Sequence, residues 1–185
     1  MVVLVHHYLS LLHEIPIFVY VIFTALIIIL WAGFSVLLYK KKVWVPINFA
    51  LLSFGIVLAL FITLFTRNAQ QSQQIEFIPF SILEQARIYK DVYNQMALNV
   101  LLFLPFGLSL PFCLEKRIKY PILTTTCLAV VLSVSVEFLQ YALRCGYSEV
   151  DDVILNTLGA FLGTLSYLIS RAVINKGRKG RGKVG

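Results

Sequence analysis

Glu137, Asp152, Asn99, Asn156 and Gln140 stand inside stretches of sequence that are otherwise apolar. An ionisable group in hydrocarbon costs roughly 2.5–3.5 kcal/mol on insertion scales, so it is rarely kept there without a use. Glu137 and Asp152 are therefore the best candidates for any catalytic role, which the sequence does not define, and also for gripping a polar ligand. The carboxamides both donate and accept, which suits them to bind a head group. Asp151 adds a carboxylate beside Asp152, and Arg144 adds a guanidinium near Glu137. The spacing is regular. Ser133, Glu137, Gln140 and Arg144 recur at four, three and four residues, as do Asp152, Asn156, Gly159 and Gly163, so each set shares one helix face. Gln95 and Asn99 share a face of a third helix.

Each of these residues also has a plainer role. Asp151 and Asp152 would open a helix, where acidic side chains favour the positive end and cap free amides. Asn99 and Asn156 could bond to neighbouring helices for about 0.6 kcal/mol each, and Gly159 with Gly163 forms a small-xxx-small pattern that lets helices approach. For Glu137 the plainer role is weak, because the insertion cost exceeds what one such bond returns.

The elements that position these residues must lie in a bilayer. Of the 185 residues, 59% are hydrophobic and only 14% are charged, against about 25% charged in soluble domains. So few charges cannot cover a water-soluble globule. About 20 consecutive apolar residues cross the hydrocarbon core. Five segments qualify, near 17–39, 45–66, 95–114, 120–143 and 152–174. The expected fold is all-α: a polytopic integral membrane bundle of five transmembrane helices, a single membrane domain over residues 1–185, multi-pass in the cell membrane. The first segment does not read as a cleaved secretory signal, since its apolar run is too long and no basic stretch precedes it. At 1.5 Å per residue, Asn99, Glu137 and Asn156 all fall roughly 6–9 Å below the outer surface.

Basic loops resist translocation, so Lys and Arg counts set orientation. Lys40, Lys41, Lys42, Lys116, Arg117, Lys119, Arg171, Lys176, Arg178, Lys179, Arg181 and Lys183 place 12 of the 16 basic residues on one side. Arg67, Arg87, Lys90 and Arg144 fall on the other. The N-terminus is expected outside and the C-terminus in the cytoplasm. The tail NKGRKGRGKVG follows a membrane helix directly, which makes it a topology anchor touching anionic lipid and not a nucleic-acid site. Cys113, Cys127 and Cys145 imply no disulfide framework. His6, His7 and His13 read as interfacial residues, and no zinc spacing occurs. No metal and no cofactor is expected.

One long connection, 67–94, opens with the polar run RNAQQSQQ and continues with mixed apolar and charged residues. Pro79 prevents one continuous helix there. It reads as an interfacial linker or as a lid over a site. Within the third segment, Pro105 and Gly107 in LPFG, with Pro111 below, kink the helix and free a carbonyl near Leu101. Beside the polar residues above it, this kink suggests a cavity entered from the outer leaflet.

At these residues the chain resembles the VanZ-like membrane proteins, a family named for a teicoplanin resistance protein. The matching stretches are IPFS at 78–81, NVLLFLPFGLSLP at 99–111, SVEFLQ at 135–140 and EVDDVILNTLGAFLG at 149–163, in the family's order over a core of roughly 76–167. Asn99, Pro105, Gly107, Glu137, Gln140, Asp152, Asn156 and Gly159 stand at signature positions. The family often carries an arginine shortly before the acidic run and an aspartate opening it. Here Gly146 and Glu149 occupy those places, with Arg144 displaced by two.

The resemblance implies a cell-envelope protein tied to lowered glycopeptide sensitivity, with no established reaction. The expected function is an outer-leaflet polar pocket that binds, and in one version modifies, a lipid-linked envelope component or lipid head group. The alternative is a non-catalytic scaffold or partner subunit for envelope synthesis or export. A membrane phosphatase using Glu137, Asp151 and Asp152 as oxygen ligands for a metal lacks a histidine base within the membrane. Expected partners are membrane lipids or lipid-linked envelope precursors, together with helix–helix self-association.

Overall fold

The computed structural model describes residues 16–65, 75–76, 78–89, 91–115, 118–143 and 148–181. His6, His7, His13, Arg144, Cys145, Gly146 and the run 67–74 lie outside the described residues. The order is α1 (Ile17–Leu38), α2 (Trp44–Phe65), β1 (Ile75–Glu76), α3 (Ser81–Ile88), α4 (Asp91–Leu114), α5 (Pro121–Leu143), β2 (Ser148–Glu149) and α6 (Val150–Arg181). All of these helices except α3 are long and apolar enough to cross a membrane. The chain is a multi-pass membrane protein. In lipid a spanning segment must satisfy its own backbone groups, which leaves the helix as the available form for such apolar runs.

The central helix is α4. Within its span 61% is buried, against 17% for α1 and 17% for α2, whose outer faces carry exposed residues such as Ile22, Leu30 and Val57. The α4 helix packs chiefly against α6, and small residues allow that closeness. A methyl group on Gly107 would come within 1.8 Å of the Ala160 carbonyl oxygen, and one on Gly159 within 2.0 Å of that of Val100. Around this seam Leu102, Phe103, Phe106 and Leu110 meet Ala59, Ala129 and Ala160.

Three helix ends lie beyond the apolar segments read from sequence. The α4 helix begins at Asp91 instead of near 95, and α6 runs from Val150 to Arg181 instead of 152–174. Hydropathy marks where a helix leaves hydrocarbon, whereas the helix itself continues until a breaker intervenes. Lys and Arg are good helix formers, which lets α6 persist into the basic tail.

The connection before α4 holds what hydropathy does not anticipate. β1 and β2 pair in parallel, Ile75 opposite Ser148 and Glu76 opposite Glu149. After Pro79 the chain turns, and Phe80 adopts the left-handed conformation at φ 67° before α3 begins. Ile82 and Ala86 of α3 are buried with Val92 and Leu155, which seats α3 on α4 and α6.

Candidate functional site

The site is built where α6 begins. Asp151 lies in its first turn and is almost fully buried. Its Oδ1 accepts the Phe80 amide at 2.6 Å, and its Oδ2 accepts the Ile82 amide at 2.9 Å and the Ser81 hydroxyl at 3.2 Å. Phe80 offers no side-chain cap of its own to α3. One carboxylate on α6 therefore supplies the acceptor that the opening amides of α3 need. The positive ends of both helices stabilise its charge. Chemically, Asp151 fastens the segment 78–88 to the bundle.

Asp152, its neighbour, points to α4, where Asn99 Nδ2 donates to Asp152 Oδ1. On α5, Glu137 Oε2 accepts the Glu149 amide at 3.0 Å, which ties α5 to β2. One turn deeper, Asn156 Nδ2 donates to Ser133 Oγ at 2.9 Å, linking α6 to α5. Glu137, Gln140, Asp151, Asp152 and Asn156 are buried and Asn99 is half-buried. Of the binding residues expected from sequence, Arg144 falls outside the described residues. Four carboxylates, Glu137, Glu149, Asp151 and Asp152, thus gather near one end of α5 and α6. Among the described residues no group of three His, Cys, Asp or Glu side chains is arranged to hold a metal.

Three features differ from the sequence reading. Gln95, expected beside Asn99, is exposed, while Asn94 is buried, because the first turns of α4 face α3 through Val92. Pro105 is not among the residues that line the groove described below. Its ring packs toward α2, where a methyl group on Gly55 would come 3.0 Å from Pro105 Cβ, and Ser109 Oγ donates to the Pro105 carbonyl at 2.7 Å. An apolar groove of about 420 Å³ lies between α1, α4 and α6, lined by residues including Tyr20, Met96 and Leu155. Its lining residues Ala97, Val100 and Leu155 lie within one helical turn of Asn99 and Asp152. Tyr20 was missed because a tyrosine near the start of a membrane helix reads as an ordinary interfacial residue.

At the opposite end, Arg171 Nη1 lies 2.6 Å from Glu115 Oε1 and donates to Tyr39 Oη at 2.8 Å, and Tyr39 donates to Glu115 at 2.6 Å. This triad joins the far ends of α1, α4 and α6.

A sequence profile of the VanZ/LLP1 family matches residues 18–171. The chain belongs to the VanZ/LLP1 family. The family match takes in every candidate residue above and reaches α1 and α2, which the motif resemblance over 76–167 covers only as apolar spans. Protein VanZ of Enterococcus faecium is 36% identical over 84 residues, 45% of this chain and 50% of that protein. The chain spans about half the length of the curated relative it matches. No solved structure matches the VanZ-like chain.

Proposed function

We propose that this VanZ-like protein holds a lipid head group or lipid-linked envelope component at the outer leaflet, and thereby lowers sensitivity to teicoplanin-type glycopeptides. The observation that carries this reading is that the Asn99–Asp152 pair lies within one helical turn of Ala97, Val100 and Leu155, which line an apolar groove, with Glu137 and Asn156 buried at the same end of the bundle. Polar groups above and hydrocarbon below match the two halves of a lipid. The 12-to-4 split of basic residues supports placing this end, with the N-terminus, outside and the C-terminus in the cytoplasm. Two measurements test it. An impermeant maleimide should label Cys145 in intact cells, but a cysteine placed at Gly185 only after permeabilisation. Asn99→Ala and Asn156→Ala should restore teicoplanin susceptibility with the protein still inserted and abundant. Full resistance in both variants would sink the binding site.

A scaffold for envelope synthesis or export is favoured by a different observation. Asp151 accepts two backbone amides of this chain and Glu137 Oε2 accepts another, which favours building a rigid surface over holding a ligand. Under that reading resistance follows the amount of folded protein, whichever residue is changed.

A further inference from the structure

At the end of the bundle opposite the carboxylates we infer a binding site for the phosphate of an anionic phospholipid, gripped by the open edge of the Arg171 guanidinium and by the lysines of the turn after α1. It concerns other residues at the other end, and so stands independently of the reading above. Arg171 Nη1 is spent, since it lies 2.6 Å from Glu115 Oε1 and donates to Tyr39 Oη at 2.8 Å. The remaining edge of the fork carries Nε–H and Nη2–H side by side, the arrangement that meets two phosphate oxygens at once. Neither nitrogen has a hydrogen-bond partner among the described residues, and neither is enclosed, the side chain being 30% exposed. Glu115 and Tyr39 hold the guanidinium from behind, so little side-chain freedom remains to be lost when a ligand arrives.

The charge around this edge identifies the ligand as an anion. Glu115 already cancels the charge of Arg171, and it is the only acidic residue in the segments that carry the 12 basic residues of this end. The other basic residues there have no acidic counterpart in the chain. The fold brings three of them toward Arg171: Tyr39, which bonds to Arg171, is followed at once by Lys40, Lys41 and Lys42, all exposed in the turn between α1 and α2. Lys119 is engaged elsewhere, its ammonium lying over the Tyr120 ring. A planar pair of donors among lysines suits a phosphate. Lipid supplies that phosphate, because the exposed apolar residues Leu37, Val43 and Val173 flank these cations along the chain. The cations therefore stand where the spans leave hydrocarbon, the level at which a phospholipid presents its head group.

The test is native mass spectrometry of the purified full chain with phosphatidylglycerol and with zwitterionic phosphatidylcholine of the same acyl chains. Phosphatidylglycerol should be retained at least about tenfold better. Arg171→Lys keeps the charge but loses the paired donors, and should cut that preference about fivefold. Lys40→Gln with Lys42→Gln should remove most of it, since each lysine near an anionic surface is worth about fivefold. Lys179 and Arg181 stand about 12 and 15 Å further along α6. Lys179→Gln with Arg181→Gln, the same loss of charge, should therefore change the preference by less than about twofold. Each ratio compares two lipids on one variant, so a loss of stability common to both cancels. Equal retention of the two lipids, or an unchanged preference in Arg171→Lys, would overturn the inference. An equal fall from the tail pair and the turn pair would overturn it by leaving only diffuse attraction. Displacement of phosphatidylglycerol by inorganic phosphate at equal concentration would overturn it by assigning the edge to a soluble ion.

Discussion

Gly163 of α6 rests directly on Gly107 of α4: a methyl group on Gly163 would lie 2.7 Å from the Gly107 carbonyl carbon and 2.7 Å from the Leu104 oxygen. These neighbours are backbone atoms and cannot rotate away, so a larger residue must separate the two helices. Gly107→Ala, Gly159→Ala and Gly163→Ala should each lower stability by about 1–3 kcal/mol. Gly33 on α1 meets nothing within 4 Å, so Gly33→Ala should be neutral or gain up to about 1 kcal/mol of helix propensity. Unfolding in detergent measures both, and a harmless Gly159→Ala would refute the seam.

Asp151 should govern the order of α3 more than the stability of the spans. Asp151→Ala removes the acceptor for two amides and a hydroxyl, and helix caps of this kind are worth about 1–2 kcal/mol. Hydrogen exchange over residues 80–88 should then speed up about tenfold, with the exchange of α4 and α5 little changed. Asp151→Asn retains one carbonyl oxygen and should fall between. Unaltered exchange across α3 would mean that burial of Ile82 and Ala86 alone holds it.

The five spans are legible because an apolar run of some 20 residues has few other physical readings. Helical spacing also brings Glu137 with Ser133, and Asp152 with Asn156, onto single faces. What equal depth does not specify is partnership. Asn99 bonds to Asp152 and Asn156 to Ser133, choices set by how α4, α5 and α6 rotate about their own axes. The seating of α3 depends on Ile82 meeting a carboxylate 69 residues away, and the strand pair is two residues long, too short for a periodic signal. The seat of Pro105 against α2 is hidden for a related reason, since it depends on Gly55 of that helix leaving room beside the ring.

The triad at the far end should be a cooperative clamp. Glu115 accepts from both Tyr39 and Arg171, and its side chain is 11% exposed against 30% for Arg171. Tyr39→Phe should cost about 0.5–1.5 kcal/mol. Glu115→Gln should cost more, because it leaves Arg171 without its carboxylate. In a double-mutant cycle the Tyr39 and Arg171 changes should be non-additive by at least about 0.5 kcal/mol, since they share one acceptor. Strict additivity would show three independent contacts.

The Asn99–Asp152 pair separates a binding site from a scaffold most sharply. Interhelical hydrogen bonds in membranes average about 0.6 kcal/mol, so Asn99→Ala should barely move the melting temperature. Asp152→Ala should cost somewhat more, because Asp152 also lies in the first turn of α6, where its charge favours the helix. If these side chains meet a ligand together, either single change should abolish teicoplanin resistance and the double variant should be no worse, since residues acting as a unit are strongly non-additive. If they only join α4 to α6, the losses of stability and of resistance should run in parallel across the series. Adding Asn156→Ala and Ser133→Ala extends the comparison to the second pair, one turn deeper. The expected outcome is loss of resistance in Asn99→Ala, Asp152→Ala and Asn156→Ala at nearly constant folded protein, and its retention in Ser133→Ala, where the Asn156 carboxamide stays in place. Resistance that tracks folded protein through all four variants would leave the scaffold as the function of this end of the bundle.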